Sequence, residues 1–243
     1  MGDQGNSSNL GILYIVATPI GNLGDITLRA INTLSSADII LAEDTRVTGK
    51  LLAFLRSKSS NDNSQQVTIH QQLISYHQHS SDAKKLEILK LLMDGKNLAL
   101  VTDAGTPGIS DPANELIAYL LSFAPDLKIV PIPGASAIVT TLSISGLDVN
   151  KFVFLGFMPK KKKEKLFAWL KEGKVPFAYY DSPFRVIKNL EDIKSRFGED
   201  TTVFVARELT KMHESVYRGR ISEVISKMGE STIKGEMVVI INQ

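Results

Sequence analysis

The sequence predicts an α/β protein whose first half is built on a largely parallel sheet with helices on its faces. Three observations lead to this prediction. Short runs rich in β-branched residues alternate with longer helical patterns, one of those patterns has a clear helical period, and turns rich in glycine and proline follow the strands. Alternating strands and helices are typical of parallel sheets, because each crossover between parallel strands needs a long connection.

The first half contains four buried strands and three helices by this pattern. The predicted strands are Ile12–Ala17, Asp38–Ala42, Asn97–Thr102 and Leu127–Ile132. The predicted helices are Ile26–Leu34, Ala83–Gly95 and Pro112–Ser122. The last helix is the clearest, because its apolar residues recur at the spacing of one helical face. Asp111 is expected to be its N-cap and Pro112 its first residue.

The second half has a different pattern, in which strands alternate with fewer and less regular helices. Its predicted strands are Lys151–Phe157, Val175–Tyr180, Thr201–Leu209 and Gly235–Asn242. Pro131 and Pro133 bracket one isoleucine before Gly134, and a domain boundary is placed there. The predicted domains are residues 10–131 and 132–243. The polar segment Ser57–Gln66 has no apolar period and is expected to be a flexible surface loop.

Composition restricts the class of protein and the kinds of site. The 243 residues have a net charge of +2, which is too weak by itself to indicate a nucleic-acid partner. There is no cysteine, which excludes disulfides and thiolate chemistry. The four histidines lack metal-ligand spacing, so no metal site is expected. The polar N-terminus and the lack of a long apolar stretch predict a soluble, cytoplasmic protein without membrane attachment.

Three turns rich in glycine and proline follow predicted strands. They are Ala17–Asn22 (ATPIGN), Asp103–Asp111 (DAGTPGISD) and Pro133–Ala137 (PGASA). Each alone is typical of a tight connection. Ligands of open α/β sheets bind at the edge where the strands end, and glycine lets main-chain atoms approach a ligand. Three such turns on one edge therefore favour a binding site over ordinary turn chemistry.

Carboxylates cluster where the second predicted strand ends. Glu43, Asp44 and Arg46 stand almost side by side in the segment AEDTR. They could form an acid–base constellation, or they could be a helix N-terminus with a compensating ion pair. Spacing alone leaves both possibilities open.

Five lysines occupy six positions in Lys160–Lys165 (KKKKEK), between Phe157 and Trp169. A lysine run is usually a solvated surface, but a basic cluster of this density can also hold phosphates. More arginine and lysine follow in the second half. This asymmetry favours an anionic macromolecule as the partner.

Taken together, the motifs resemble a known family. They are LYIVATPIGNLGDITLRA, AEDTR, ISYHQH, VTDAGTPGISDP, PIPGASA, FLGFMPKKKKE, ARELTKMHE and KGEMVVII, in this order from Leu13 to Ile241. The series resembles the bacterial 16S ribosomal RNA cytidine-2′-O-methyltransferases of the tetrapyrrole methylase superfamily. The resemblance implies two α/β domains, with a mostly parallel sheet in the first and a mixed sheet in the second. It also implies a homodimer that binds S-adenosylmethionine in the cleft between its domains.

The resemblance assigns cofactor-binding and RNA-binding residues. Gly105, Thr106 and Pro107 stand in the places of the superfamily's G-D-P loop, and Ile109 would cover the methionine part of the cofactor. The other implied cofactor residues are Pro19, Ser136, Ala137, Tyr180, Ala206, Leu209 and Met237. The implied partner is 16S rRNA or the small ribosomal subunit. Lys160, Lys161, Lys162, Lys163 and Arg207 are expected to hold its backbone.

The chain departs from the family at several positions. Gln78 and Ser80 replace two polar residues of the motif SYHEHN, Asp181 replaces a glutamate and Phe184 replaces a histidine, which argues against catalysis by the residue at 184.

Methyl transfer to a ribose hydroxyl needs alignment and gains from a base. Glu43 and Asp44, then Asp103, are the candidate bases, Arg46 would position a phosphate, and His77 is a weaker candidate. Two alternatives are a methyltransferase acting on carbon of a tetrapyrrole and a non-catalytic ribosome-associated protein.

Overall fold

The fold is taken from a computed structural model that describes residues 10–59, 71–230 and 233–243. The chain forms two compact units, Met1–Ala135 and Ser136–Gln243. The sequence places the boundary four residues earlier, after Pro131. Of the polar segment expected to be a loop, Ser57–Ser59 belong to a helix, and the remainder lies outside the described residues.

The first unit contains a five-stranded sheet. Its strands are β1 (Leu13–Val16), β2 (Ile39–Ala42), β3 (Gln72–Ser75), β4 (Leu98–Val101) and β5 (Ile129–Ile132). Their order in the sheet is β3-β2-β4-β1-β5, and every neighbouring pair is parallel. The predicted parallel sheet is confirmed. The edge strand β3 was not predicted.

Two pairs of helices cover the two faces of this sheet. The helices are α1 (Leu28–Ser36), α2 (Thr45–Ser59), α3 (Asp82–Met93) and α4 (Ala113–Phe123). Leu34 of α1 and Leu52 of α2 pack with Ile40 on one face. Leu92 of α3 and Leu116 of α4 belong to the apolar cluster of the other face. Each buried leucine side chain contributes about 1.5–3 kcal/mol, so both faces stabilise the unit.

The start of α4 differs from the sequence prediction by one residue. Pro112 is the N-cap, and the helix begins at Ala113. Asp111 still caps the helix, because its Oδ1 accepts the N–H of Ala113 at 3.0 Å. The same oxygen accepts the N–H of Gly108 at 2.8 Å. The aspartate therefore joins the helix to the preceding loop, a function beyond capping.

The second unit contains a mixed five-stranded sheet. Its strands are β6 (Val153–Phe157), β7 (Phe177–Asp181), β8 (Thr202–Arg207), β9 (Ser215–Arg220) and β10 (Met237–Asn242). Their order is β6-β7-β10-β8-β9; β6 and β7 are parallel, and the other neighbouring pairs are antiparallel. This is the mixed sheet that the resemblance implies. The edge strand β9 was not predicted.

The second unit is richer in helix than the sequence predicts. Its helices are α5 (Ala137–Ser145), α6 (Lys163–Gly173), α7 (Val186–Phe197) and α8 (Ile221–Gly229). Phe167 of α6, Leu190 of α7 and Val224 of α8 share one apolar core with the sheet. In the part of the chain that the structure describes, no helix is long and apolar enough to span a bilayer.

Candidate active site

The loops that follow β1 and β4 meet at the carboxyl edge of the first sheet. These two strands are neighbours, and the helices that follow them, α1 and α4, pack on opposite faces. A ligand crevice is expected where neighbouring strands diverge in this way. Thr18 and Gly105 form an isolated antiparallel bridge there, with N–H···O distances of 2.9 and 3.1 Å. The Thr18 hydroxyl also donates to the carbonyl of Thr102 at 3.1 Å.

The loop after β5 joins the same edge. The Thr106 hydroxyl donates to the carbonyl of Ala135 at 3.2 Å. A Cβ added to Gly134 would come within 3.0 Å of the Cβ of Ala17, so the loop after β5 passes close to the end of β1. The three turns that the sequence places on one edge are therefore in contact through main-chain and hydroxyl groups.

This arrangement fits a ligand that is recognised by main-chain groups. Gly105 has a φ of +83°, a conformation that strains any residue with a Cβ. Gly108 has a φ of +91°, and its carbonyl accepts from the Asn114 amide at 2.7 Å. Between these two glycines the loop is anchored at several points. It can present N–H and C=O groups without rearrangement, as binding of S-adenosylmethionine at this loop would require.

The predicted cofactor residues of the first unit lie on these loops. Pro19 and Pro107 are buried and shape the turns, and Thr106 is half-buried. Ile109 is 46% exposed, so its side chain is available to cover a ligand.

Three carboxylates lie together beside the Gly105 loop. Glu43 Oε2 accepts the Thr102 hydroxyl at 2.6 Å and the N–H of Asp103 at 3.3 Å. Asp103 Oδ1 in turn accepts the N–H of Asp44 at 3.1 Å. The ends of β2 and β4 are thus cross-linked by the side chains that the sequence singles out as candidate bases.

Asp44 forms a hydrogen-bonded ion pair with Arg46. Its two oxygens accept from the guanidinium at 2.6 to 3.2 Å, and Oδ1 also accepts the N–H of Arg46 at 2.8 Å. The side-chain hydrogen bond to Arg46, followed by the main-chain one, lowers the pKa of Asp44 to about 2. Asp44 is therefore a weak base, and its pairing is the helix-start ion pair that spacing left open. The Arg46 side chain is 86% exposed, so its outer edge can still meet a phosphate.

The pKa of Asp103 is shifted in the opposite direction to that of Asp44. Burial, and then the charge of Glu43, raise the pKa of Asp103 above its usual value. A carboxylate with a raised pKa accepts protons more readily near neutral pH. The pKa values of Asp44 and Asp103 are therefore shifted in opposite directions, and Glu43 holds the Asp103 main chain.

A small cavity next to Glu43 has two lining residues that the sequence did not single out, Tyr76 and Thr102. Glu43, Tyr76, Thr102, Pro107 and Asp111 are among its lining residues. Burial, then the charge of Glu115, raises the pKa of Tyr76. Thr102 ends a predicted strand and Tyr76 lies in the quoted segment ISYHQH, so position was the available signal for both. His77, the weaker candidate, is exposed, and its Nδ1 accepts the N–H of His79 at 3.2 Å.

In the second unit, four of the predicted cofactor residues lie together. Tyr180 and Ala206 both pair with Val238 of β10, so they share one face of the sheet. Ser136 and Ala137 begin α5. The main chain of the next residue, Ile138, hydrogen bonds to Tyr180, and burial raises the pKa of that tyrosine.

The other two predicted cofactor residues differ. The Met237 side chain belongs to the apolar core on the opposite face, so a contact from Met237 would involve its main chain. Leu209 is buried between Glu208 and Thr210, which have φ values of +52° and +63°. Such conformations are uncommon for residues with a Cβ and give the segment an unusual path.

The predicted RNA-binding residues separate into two groups. Lys160, Lys161 and Lys162 are exposed. Lys163 is turned inward: its Nζ lies 2.6 Å from Asn189 Oδ1 and 3.2 Å from Asp192 Oδ2.

The guanidinium of Arg207 is also engaged within the chain. It donates to Ser215 Oγ at 2.8 Å and to the carbonyls of His213 and Lys234 at 3.2 and 3.3 Å. Lys163 and Arg207 therefore support the fold, whereas Lys160, Lys161 and Lys162 are exposed to solvent.

Comparison with known proteins gives the family of this chain. The family described as Tetrapyrrole (Corrin/Porphyrin) Methylases matches residues 12–225. A protein of Synechocystis sp. named ribosomal RNA small subunit methyltransferase I is 44% identical over 96% of this chain and 79% of its own length. A Thermotoga maritima protein of the same name is 40% identical over 96% of this chain and 99% of its own length.

A solved structure shows the fold at low sequence identity. The uroporphyrin-III C-methyltransferase of Thermus thermophilus in complex with S-adenosylhomocysteine aligns with a TM-score of 0.64 at 15% identity, over 96% of this chain and 98% of that one. At this identity the likeness concerns the fold alone. The match of the family and the identity with its curated relatives show that the chain belongs to the tetrapyrrole methylases, in the group named ribosomal RNA small subunit methyltransferase I.

Proposed function

We propose that this protein transfers a methyl group from S-adenosylmethionine to the 2′-hydroxyl of a cytidine in 16S rRNA of the small ribosomal subunit. The observation that carries the proposal is the carboxylate cluster of Glu43, Asp44 and Asp103 beside the main-chain loop at Gly105. A donor site and a proton acceptor are thus two residues apart. The names of the relatives support ribosomal RNA as the substrate.

The cofactor supplies an activated methyl group on a sulfonium centre. Gly105, Thr106 and Pro107 would hold it through main-chain groups, and Pro19 and Ile109 would limit its space. The proposed contacts from the second unit are Ser136, Ala137, Tyr180, Ala206, Leu209 and Met237.

Asp103 is the proposed general base. Its Oδ1 is held by the N–H of Asp44, which leaves Oδ2 to accept the proton of the ribose hydroxyl as that oxygen forms its bond to the methyl carbon. S-adenosylmethionine would supply that methyl group, and its sulfur would leave as a neutral thioether. Glu43 positions Asp103 through its main chain, and its charge adds to the rise in the pKa of Asp103 that burial causes. Arg46, already oriented by Asp44, is proposed to contact a phosphate of the RNA.

Lys160, Lys161 and Lys162 are the proposed contacts for the RNA backbone, because they are exposed and their positive charges complement phosphates. The small subunit is the proposed form of the substrate, and a homodimer the proposed active assembly. A ribosomal RNA substrate favours action in the cytoplasm, where bacterial ribosomes are made.

The test is incubation of the protein with isotopically labelled S-adenosylmethionine and small ribosomal subunits from a strain that lacks this modification. Nucleoside mass spectrometry should detect labelled 2′-O-methylcytidine. Label on a base carbon, or transfer only to an added tetrapyrrole, would contradict the proposal. If the protein binds small subunits but transfers no label, it is a ribosome-associated binding protein and not an enzyme.

A further inference from the structure

The aromatic side chain of Phe184 is almost fully exposed to solvent. It lies in the turn between β7 and α7, and 94% of its surface is exposed. Isolated exposed apolar residues are common and need no explanation by themselves. The setting of this one distinguishes it.

The turn that carries Phe184 is fixed on both sides. Asp181 Oδ1 accepts the N–H of Ser182 at 2.9 Å, and the Ser182 carbonyl accepts the N–H groups of Arg185 and Val186, both at 3.1 Å. Asp181 is itself buried and accepts from the Asn189 amide at 2.6 Å. The phenyl ring therefore projects from a main chain that is already ordered, and a ligand that contacts it need not order the turn.

The exposed lysines lie in the neighbouring loop. β6 and β7 are parallel neighbours, so the loops that follow them emerge at the same edge of the sheet, roughly 5 Å apart at their bases. The Arg185 guanidinium donates to the carbonyl of Met158, which ties the Phe184 turn to the loop that carries Lys160, Lys161 and Lys162. Lys163 anchors the end of that loop to α7 through Asn189.

An exposed aromatic ring on an ordered turn, next to a loop with three exposed lysines, matches the chemistry of unpaired RNA. Aromatic side chains stack on splayed bases, and lysines neutralise the phosphates that flank them. A phenyl ring also has no group that can donate or accept a proton, so its task is contact. We propose that Phe184 stacks on an unpaired base of the substrate RNA, next to phosphates held by Lys160–Lys162; this inference rests on the proposed function.

The experiment compares Phe184→Ala with the wild type in binding to small ribosomal subunits and to protein-free 16S rRNA, both from the unmethylated strain, at several salt concentrations. Loss of one stacked base should raise Kd roughly 5- to 100-fold. The slope of log Kd against log salt should stay unchanged, because no charge is removed. Lys161→Ala should instead reduce that slope by about 0.7, the value for one phosphate contact on a single strand.

Two control variants separate stacking from general effects. Phe184→Tyr keeps an aromatic face and should retain the wild-type Kd within about threefold. Phe123→Ala removes an aromatic side chain of α4 that is 64% exposed, and Kd should not change. Thermal unfolding and size-exclusion chromatography should show that Phe184→Ala has the wild-type fold and oligomeric state.

Four outcomes would overturn the inference. Phe184→Ala could bind 16S rRNA like the wild type, or Phe184→Tyr could lose as much affinity as Phe184→Ala. The loss could appear with whole subunits and not with protein-free RNA, which would make Phe184 a protein contact, or it could accompany a change of oligomeric state. If the wild type itself neither binds nor methylates ribosomal RNA, the proposed function fails, and this result is distinct from the other four.

Discussion

Replacing Asp103 with asparagine removes the proposed proton acceptor and preserves the local structure. The amide oxygen of the new side chain can still accept the N–H of Asp44 at the 3.1 Å distance of the native contact, and the main chain at this position still donates to Glu43. A positioned base contributes roughly 10²- to 10⁴-fold. Asp103 is exposed, so water can replace it in part, and the loss should lie towards the lower end of this range. We expect kcat to fall roughly 100- to 1000-fold, or about 3 to 4 kcal/mol of barrier.

The assay is transfer of labelled methyl groups to small subunits, with S-adenosylmethionine affinity measured separately by calorimetry. Cofactor Kd should change less than threefold, because the Gly105 loop is intact. The pH profile adds a second readout. A base must be deprotonated, so activity rises with pH through the pKa of Asp103, which burial and Glu43 raise. Glu43→Gln removes the charge of Glu43, so the pKa of Asp103 should fall and the acidic limb should move to lower pH.

Two results would refute this reasoning. If Asp103→Asn retains more than a third of the wild-type kcat, Asp103 is not the base. If Glu43→Gln leaves the acidic limb in place while kcat falls, the pH dependence belongs to another group.

Three further predictions concern binding and stability. Gly105→Ala places a Cβ on a residue with φ +83°, which should lower the unfolding free energy by about 1–2 kcal/mol in urea titrations and weaken S-adenosylmethionine binding in calorimetry. Asn189→Ala leaves the buried Asp181 carboxylate without its 2.6 Å donor and should cost about 3 kcal/mol in the same titrations, whereas an unchanged midpoint would argue against this network. Replacing Lys160–Lys162 with alanine should lower the salt slope of RNA binding by about 2, while Lys163→Ala should lower stability and leave the slope within roughly 0.5 of the wild type.

The strands that the sequence predicted are those with an apolar run of their own, and they include the edge strands β5 and β6. Each predicted strand overlaps an observed one, with ends that agree to within two residues. The two strands that were missed, β3 and β9, are both edge strands. In β3 only Ile74 is buried, and β9 carries two arginines and Gly219, so neither has the apolar run that marks an interior strand.

For the candidate site, the sequence identified the carboxylates and the turns but not the division of tasks among them. Asp44 and Asp103 have the same side chain, and their pKa values move in opposite directions because Arg46 bonds one and burial dominates the other. Likewise, nothing in a run of identical lysines separates Lys163 from its neighbours until α6 fixes its direction towards α7. The burial of Asp103 and the direction of Lys163 depend on parts of the chain that are distant in sequence, whereas the Asp44–Arg46 pair is local and spacing had left it open.

The bridge between Thr18 and Gly105 has a consequence for how this fold can vary. A recess outlined by peptide groups depends on the path of the backbone and only weakly on which side chains stand there. Mutations can therefore accumulate around it, and a new acceptor chemistry can be installed on the neighbouring strand ends, without rebuilding the proposed donor site. Donor recognition and acceptor choice can then evolve at different rates within one scaffold.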